Sequence, residues 1–547
     1  QIKYSILRVS QFPNGEQNKK RSIRLENKAI VEEYRKELEV FCEKTKAFYA
    51  GEVSIVEYKG FSGYYGSYAQ RGAKASMLRL RMTAGEMDKE KLAFVADSIE
   101  KYNIDKAHFT TCQTVQLHNL SCDTVCSLIE EALDAGIVTM GGGGDFPRNT
   151  MCSPLSGVEI GEYFDVMPYA KATGEYTLGI TKDLKLPRKL KIGFSNSPKN
   201  ITHATFRDLG FVATEKGNFD VYCAGGMGNK PKFGVKVMEN LEPSKVLYCV
   251  QTMVDIFKEH GNYKQRGASR TRFLQDTMGV EGLQKAFLEQ YAHNLETLDL
   301  DIFVEHTEIT KKGSTQGKET FLKENHRVVE QKQEGLYAVA YHPIGGLPDV
   351  SVFRKLSDTI ADMDQVVVRL SPTQGSYIIN LTKEEAEKVL LVTSVSAANL
   401  FETSSACIGA DICQVGIGTS QILLNQCVER VRKEQFADGV LPVIHISGCP
   451  SSCSVHQTAA LGFRGGKKPT EDGPKDAFAV YDNGCSLQGK EQMGEEIGVI
   501  LSTDIPEFLV AIGKAVEAED MDYATFWNTY PTKIKEIAKS FYDCSES

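Results

Sequence analysis

"HFTTCQTVQLHNL" (residues 108–120) decides the fold, because a second stretch, "RLSPTQGSYIINL" (residues 369–381), reads as its copy. Residues 85–120 and 346–381 run together without a gap, at the constant offset that carries Gly85 onto Gly346. Asp97 then meets Asp358, Ile99 meets Ile360, Gln113 meets Gln374, Asn119 meets Asn380 and Leu120 meets Leu381. Both copies read as a glycine turn, an amphipathic helix and an alternating strand. A weaker echo lays "LPRKLKIGFSNS" (186–197) over "LPVIHISGCPSS" (441–452), and "LGF" recurs at 209–211 and 461–463. The chain is therefore read as α+β, a mixed αβ protein in two halves, each a smaller αβ unit followed by a larger one. A pseudo-two-fold molecule of this kind sets equivalent loops of both halves around one central site.

Size and composition bound what that site serves. At 547 residues, 41% hydrophobic and 25% charged, the chain is an ordinary globular protein with a large buried core. Its net charge of −9 argues against nucleic acid or an anionic membrane as a partner, though not against small anions met by local cations. No run of eighteen apolar residues occurs, and "QIKYSILRVSQF" lacks the pattern of a signal peptide. A cytoplasmic protein is the expectation. Fourteen cysteines are too sparse for a secreted disulfide scaffold. Cys42, Cys122, Cys126 and Cys249 read as small buried hydrophobes within apolar patterns.

Four other cysteines are spaced differently. "TSSACIGADIC" separates Cys407 from Cys413 by five residues, and "HISGCPSSCSVHQ" separates Cys449 from Cys453 by three. Four thiolates suit a [4Fe–4S] cluster or tetrahedral zinc, and four unrelated core thiols remain the bland alternative. The five-residue gap is wide for a zinc knuckle, while Gly448 and Pro450 are turn residues that bring backbone close to a bulky group. Cys-x5-Cys followed by Cys-x3-Cys, with Gly-Cys-Pro, resembles the signature of the sirohaem-containing sulfite and nitrite reductases. The resemblance implies a [4Fe–4S] cluster on Cys407, Cys413, Cys449 and Cys453, with Cys453 shared with the sirohaem iron.

Basic residues in apolar or glycine-rich settings carry the resemblance further. They are Arg79 in "SMLRLRM", Arg148 after four glycines in "GGGGDFPRN", and Lys189 and Lys191 in "LPRKLKIGF", where a two-residue step returns both lysines to one strand face. Singly, each reads as a surface cation; in the family, matching positions line the substrate cavity. A lysine at the position of Lys191 is typical of members that prefer sulfite, and asparagine of those that prefer nitrite. Gln113, Gln116 and His118 resemble the strand that supports the tetrapyrrole, although Cys112 stands where an arginine is usual. Arg188, Arg266 and Arg270 are the implied partners of sirohaem carboxylates.

The resemblance implies an N-terminal extension (1–72), a ferredoxin-like half-domain (73–140), a sirohaem- and substrate-binding αβ domain (141–334), a second half-domain (335–399) and a cluster-binding αβ domain (400–547). A helix from Asn27 to about Tyr49, with Ile30, Val31, Tyr34, Leu38 and Phe41 on one face, is expected in the extension, and a polar connection over 310–326. The expected activity is six-electron reduction of sulfite to sulfide. Nitrite reduction to ammonia on the same scaffold is the rival, and a non-catalytic zinc- or tetrapyrrole-binding protein is the reading from another class. No flavin or nicotinamide module is evident, so the resemblance implies an external donor, a ferredoxin or a flavoprotein subunit.

Overall fold

The computed structural model describes residues 16–542, with the backbone alone for residues 16–30, so the side chain of Ile30 lies outside the described residues. A long helix, Glu16–Tyr49, opens the chain. It begins eleven residues before the expected Asn27 and buries Tyr34, Leu38 and Phe41 as its amphipathic spacing requires.

The first half-domain contributes β1 (Ser67–Ala69), β2 (Ser76–Arg81), β3 (Glu86–Met87), β4 (Ala107–Phe109) and β5 (Thr114–Leu120). Four of these form an antiparallel sheet in the order β1-β2-β5-β4. β1 lies in the range set apart as an extension, yet it pairs with β2 and completes the sheet. The first αβ domain follows with β6 (Met151–Cys152), β7 (Ile192–Ser195), β8 (Leu209–Ala213), β9 (Phe219–Cys223) and β10 (Val235–Leu241). The second half-domain holds β11 (Val328–Glu330), β12 (Tyr337–Tyr341), β13 (Val367–Leu370) and β14 (Ser376–Leu381), and the last domain holds β15 (Ser405–Ala406), β16 (Ile444–Ser447), β17 (Leu461–Lys468), β18 (Lys475–Asp482) and β19 (Glu495–Leu501). The polar connection is not wholly irregular, since Lys318–Glu324 is helical.

The duplication is visible in backbone geometry. Gln113 and Gln374 both take positive φ, 55° and 68°, and so do Asn119 and Asn380, at 60° and 65°. Four non-glycine residues in a sparsely populated region, falling at matched positions, mark one local design used twice. The helices Lys89–Lys101 and Ser351–Ile360 pack together, and Arg354 of the second copy bonds Glu100 of the first at 3.0 Å. Buried residues of both half-domains, among them Val95, Leu117, Leu356 and Ile378, form one continuous core.

The larger domains also match. In each, three strands run parallel and two antiparallel strands follow, β6-β7-β8 with β9 and β10, and β15-β16-β17 with β18 and β19. Ile192 pairs with Leu209 just as Ile444 pairs with Leu461. This corrects the weaker sequence echo by three residues: Ile192 to Ser195 correspond to Ile444 to Ser447, the same offset as "LGF". The loop of residues 196–203 is thus the counterpart of residues 448–455, which carry Cys449 and Cys453. His203 and Val455, equivalent at this offset, share a left-handed backbone, φ 57° and 50°.

Gln113 and Gln374 stitch the pieces together. Gln113 donates to Cys152 O at 2.8 Å and Leu370 O at 2.6 Å and accepts from Cys152 N–H at 2.9 Å; Gln374 donates to Ala406 O at 2.9 Å. Each therefore joins its half-domain to the first strand of the following αβ domain. Gln113→Ala strands a buried N–H and should lower stability by about 1–3 kcal/mol, read as a lower midpoint of denaturant unfolding.

Candidate functional site

Where the four sheets meet lies a cavity of about 750 Å³, its open mouth included. Its wall draws on matched loops of both halves: Thr111 from the β4–β5 turn faces Pro372 and Thr373 from the β13–β14 turn, and His203 from one αβ domain faces Ser451 to Val455 from the other. The sequence expectation of equivalent loops around one centre holds here.

Lys189 and Lys191 supply the cationic wall. Leu190 between them is fully buried and bridges to Pro147, so the alternation turns both lysines the other way, onto the cavity. Arg207 and Arg270 join them, and Asp208 is the acid among the lining residues. Asp208, wholly buried, is already satisfied: Arg270 reaches it at 2.9 Å, Lys191 N–H donates at 2.8 Å, and the Thr271 hydroxyl donates as well. Arg207, which no sequence motif marked, is oriented by Thr202 O at 2.7 Å. Among the described residues, Lys189, Lys191 and Arg207 form no ion pair with a carboxylate at the surface of this partly enclosed volume. Burial pushes Lys189 well below the ordinary lysine value, and Arg270, Lys191 and Arg148 push it further. Lys191 is lowered too, by burial against a raising effect of Cys112.

Arg79 and Arg148 stand behind this wall. Both donate to Gly142 O, Arg148 at 2.9 Å, and Arg148 also donates to Gly144 O at 2.6 Å. With the Gln116 amide turned to present its oxygen, it accepts from Arg79 Nε at 3.0 Å. Their charge reaches the cavity through neighbours, Arg148 acting on Lys189 and Arg79 on Cys112. Burial of Arg148 brings it down to about 10. His118 is buried beside His108 with neither ring nitrogen hydrogen-bonded, and burial holds it well below its ordinary value. Arg188 and Arg266 converge at 2.7 and 2.8 Å on Asp145, which neutralises part of their charge.

Cys112 sits among these cations. Burial alone would raise its thiol, but Lys191, Arg207 and Arg79 outweigh burial and draw it down to about 6. At neutral pH it is a thiolate held by Lys191. Its alkylation by iodoacetamide in the purified protein should fall off as pH drops through about 6, and Lys191→Met should move that midpoint up toward an ordinary thiol. The same sign applies to folding. A depressed thiol lends stability above the unfolded-state value and loses it as pH falls through the folded one.

On the opposite wall Cys453 is exposed to the cavity and feels Cys407, Cys449 and both lysines. Burial first, and then the neighbouring thiols, raise it to about 12. Cys407 accepts from Gly448 N–H at 3.1 Å and lies 3.1 Å from the Ser420 hydroxyl. Cys413 is carried on a loop tied to the first half: Arg71 donates to Cys413 O at 3.1 Å, and Gln414 donates to Ala69 O at 2.7 Å.

The expected groups are a sirohaem and a [4Fe–4S] cluster. A carboxylate-rich ring suits the cavity, since the Nε of Arg270, which lines it, is buried without an acceptor, and Lys189, Lys191 and Arg207 form no ion pair with a carboxylate among the described residues. For the thiols the fit is partial. Burial first, and then the neighbouring thiols, raise Cys407 and Cys453, so both hold their protons more tightly than an exposed thiol until a cation arrives. Among the described residues, however, no three His, Cys, Asp or Glu side chains converge closely enough to hold one metal ion. A cubane, with thiolates at separate corners, asks for less convergence.

Comparison with known proteins agrees with this architecture. Residues 68–135 match the nitrite/sulfite reductase ferredoxin-like half domain, and residues 143–295 match the nitrite and sulphite reductase 4Fe-4S domain. The chain is 24% identical to sulfite reductase [ferredoxin] 1 of Mycolicibacterium paratuberculosis, over 75% of this chain and 74% of that one. It is 26% identical to the ferredoxin–nitrite reductase of Synechococcus elongatus, over 72% of this chain and 76% of that one. The solved structure of the Mycobacterium tuberculosis NirA protein shares the fold, with a TM-score of 0.71 at 21% identity, over 85% of this chain and 89% of that one. Fold, domain order and sequence together give this chain a family-level match to the nitrite and sulfite reductases, with neither subtype dominant.

Proposed function

We propose that the cavity binds a small oxyanion, sulfite or nitrite, and reduces it with six electrons, using sirohaem and a [4Fe–4S] cluster. The observation that carries the reading is that Lys189, Lys191 and Arg207, with no carboxylate ion pair among the described residues, line one cavity together with Cys453. Arg270, Arg188 and Arg266 would hold carboxylates of the ring; Cys407, Cys413, Cys449 and Cys453 would hold the cluster. When bound, these groups supply the electrons and a metal that accepts the substrate.

The chain's residues do the rest. Lys189 and Lys191 draw the anion in, and each contact is on the order of 4 kcal/mol at about 4 Å and an effective dielectric near 20, before desolvation. Both lysines are depressed while the cavity is empty of anion, and a bound anion raises them again. That cycle lets an ammonium proton pass to a departing oxygen at Nζ. Arg79, Arg148 and Arg207 serve as fixed positive charge.

Lys191 favours the dianion sulfite. Nitrite is the second reading, and the curated relatives support it at least as well, because they include ferredoxin–nitrite reductases from different organisms. An external donor such as a ferredoxin fits both readings. Among the described residues no helix is long and apolar enough to cross a membrane. The test is an absorption spectrum with iron and acid-labile sulfide analysis, followed by steady-state kinetics on both anions with a chemically reduced donor. Sirohaem bands and turnover are expected; zinc without iron, or no turnover of either anion by holoprotein, overturns the reading.

A further inference from the structure

Far from the cavity, three thiols meet on the surface of the first half-domain. Cys122 and Cys126 stand one turn apart on the helix Cys122–Asp134. The helix Glu16–Tyr49 packs against it, and Arg35 bonds Asp134 at 2.6 Å and approaches Glu130 at 3.6 Å. Two turns on from Arg35 lies Cys42, and two turns back from Asp134 lies Cys126. An antiparallel pair in this register sets the two sulfurs opposite each other. They lie close enough for each to perturb the other's thiol, and Cys122 and Cys126 perturb one another as well. All three are partly exposed, with Cys42 and Cys126 packed at the edge of the core, not the fully buried hydrophobes their apolar setting suggested.

We propose that Cys42 and Cys126 form a reversible disulfide by exchange with a low-molecular-weight disulfide, tying the N-terminal helix to the first half-domain. The site has the parts that thiol exchange needs. Cys42 is the attacking thiol: its pairing with Cys126 draws it below its ordinary value against burial, and Lys46, one turn on, adds positive charge that outweighs Glu130. Cys126 is raised by the same pairing.

The Cys42 thiolate attacks a disulfide RSSR, its S–S bond breaks, and RS⁻ leaves and takes a proton from water. Cys42 is now a mixed disulfide and carries no charge, so the interaction that held the Cys126 proton is gone. Cys126 loses that proton to water, attacks the Cys42 sulfur and expels the second RS⁻. Two thiols are oxidised, and RSSR is reduced to two RSH. Cys122 takes no part.

The holoprotein is equilibrated with oxidised glutathione, quenched with acid, alkylated and digested without reductant. The expected product is one cross-linked pair of peptides containing Cys42 and Cys126, lighter by two hydrogens than the separate peptides and released by dithiothreitol. Cys122→Ser keeps the link, and Cys42→Ser abolishes it. Fully alkylated Cys42, glutathione remaining on Cys42, or a link through Cys122 would each overturn the proposal, and none of these bears on the cavity's function.

Discussion

Lys191→Asn is expected to cut kcat/KM for sulfite by about 100-fold and that for nitrite by only about tenfold. A unit-charge contact on the order of 4 kcal/mol, reduced by desolvation to about 1.4 kcal/mol, accounts for the tenfold loss with a monoanion, and a dianion feels about twice that. The position is suited to the test because Lys191 lies on the cavity wall and forms no ion pair with a carboxylate among the described residues. Its removal also lets Cys112 rise toward an ordinary thiol and take up a proton, so it competes less for the remaining cations and tempers the loss. Lys285→Asn makes the same charge change at a side chain 76% exposed on a helix surface, and should leave both rates unchanged. Equal losses for the two anions would show that charge at position 191 does not discriminate between them. The measurement is steady-state kinetics with iron content matched between proteins.

The second large effect concerns backbone. A Cβ on Gly462 would stand 1.9 Å from His456 O, and one on Gly210 would stand 1.8 Å from Ala204 O. These are equivalent glycines of β17 and β8, each pressed against the turn that ends the loop lining the cavity. Neither backbone oxygen can rotate away as a side chain would. Gly462→Ala should therefore cost more than about 3 kcal/mol and displace the segment carrying Cys449 and Cys453, as expected of overpacking at its severe end. The readouts are a lower thermal midpoint and a loss of bound iron. Gly466→Ala, in the same strand, meets its nearest atom at 4.0 Å and should be close to neutral or slightly stabilising. A stable Gly462→Ala that retains its iron would remove the close packing from the account.

The first duplication was readable because its anchor residues, Gly85, Gln113 and Asn119, are demanded by local backbone conformation and so recur as residue types. The second was legible only in outline. β7 and β16 share hydrophobicity and one serine, which left the pairing three residues out until hydrogen bonds fixed the register. For the site, spacing set Lys189 and Lys191 on one strand face, and both line the cavity, because strand alternation acts at short range. Arg79 and Arg148 were expected on the cavity and stand one layer behind it, since carbonyls of the four-glycine loop claim their guanidiniums. Arg207 and Asp208 escaped notice because nothing in "FRDLG" sets them apart; they matter through Thr202 and Arg270. The neutralisation of Arg188 and Arg266 by Asp145 was likewise invisible, being a contact between distant segments.

β3 belongs by sequence to the first half and by hydrogen bonding to the second, where Met87 pairs with Val368 and Glu86 with Arg369. The loan leaves the first sheet with four strands and gives the second five. It also settles an order of events during synthesis. At about 5–20 residues per second, β3 leaves the ribosome on the order of tens of seconds before β13. When β13 emerges, the strand that covers its edge is already made, so an aggregation-prone border is sealed from the outset. Expressed without the first half, the second would carry that border bare, and the chain's two repeats, alike in plan, are unequal in self-sufficiency.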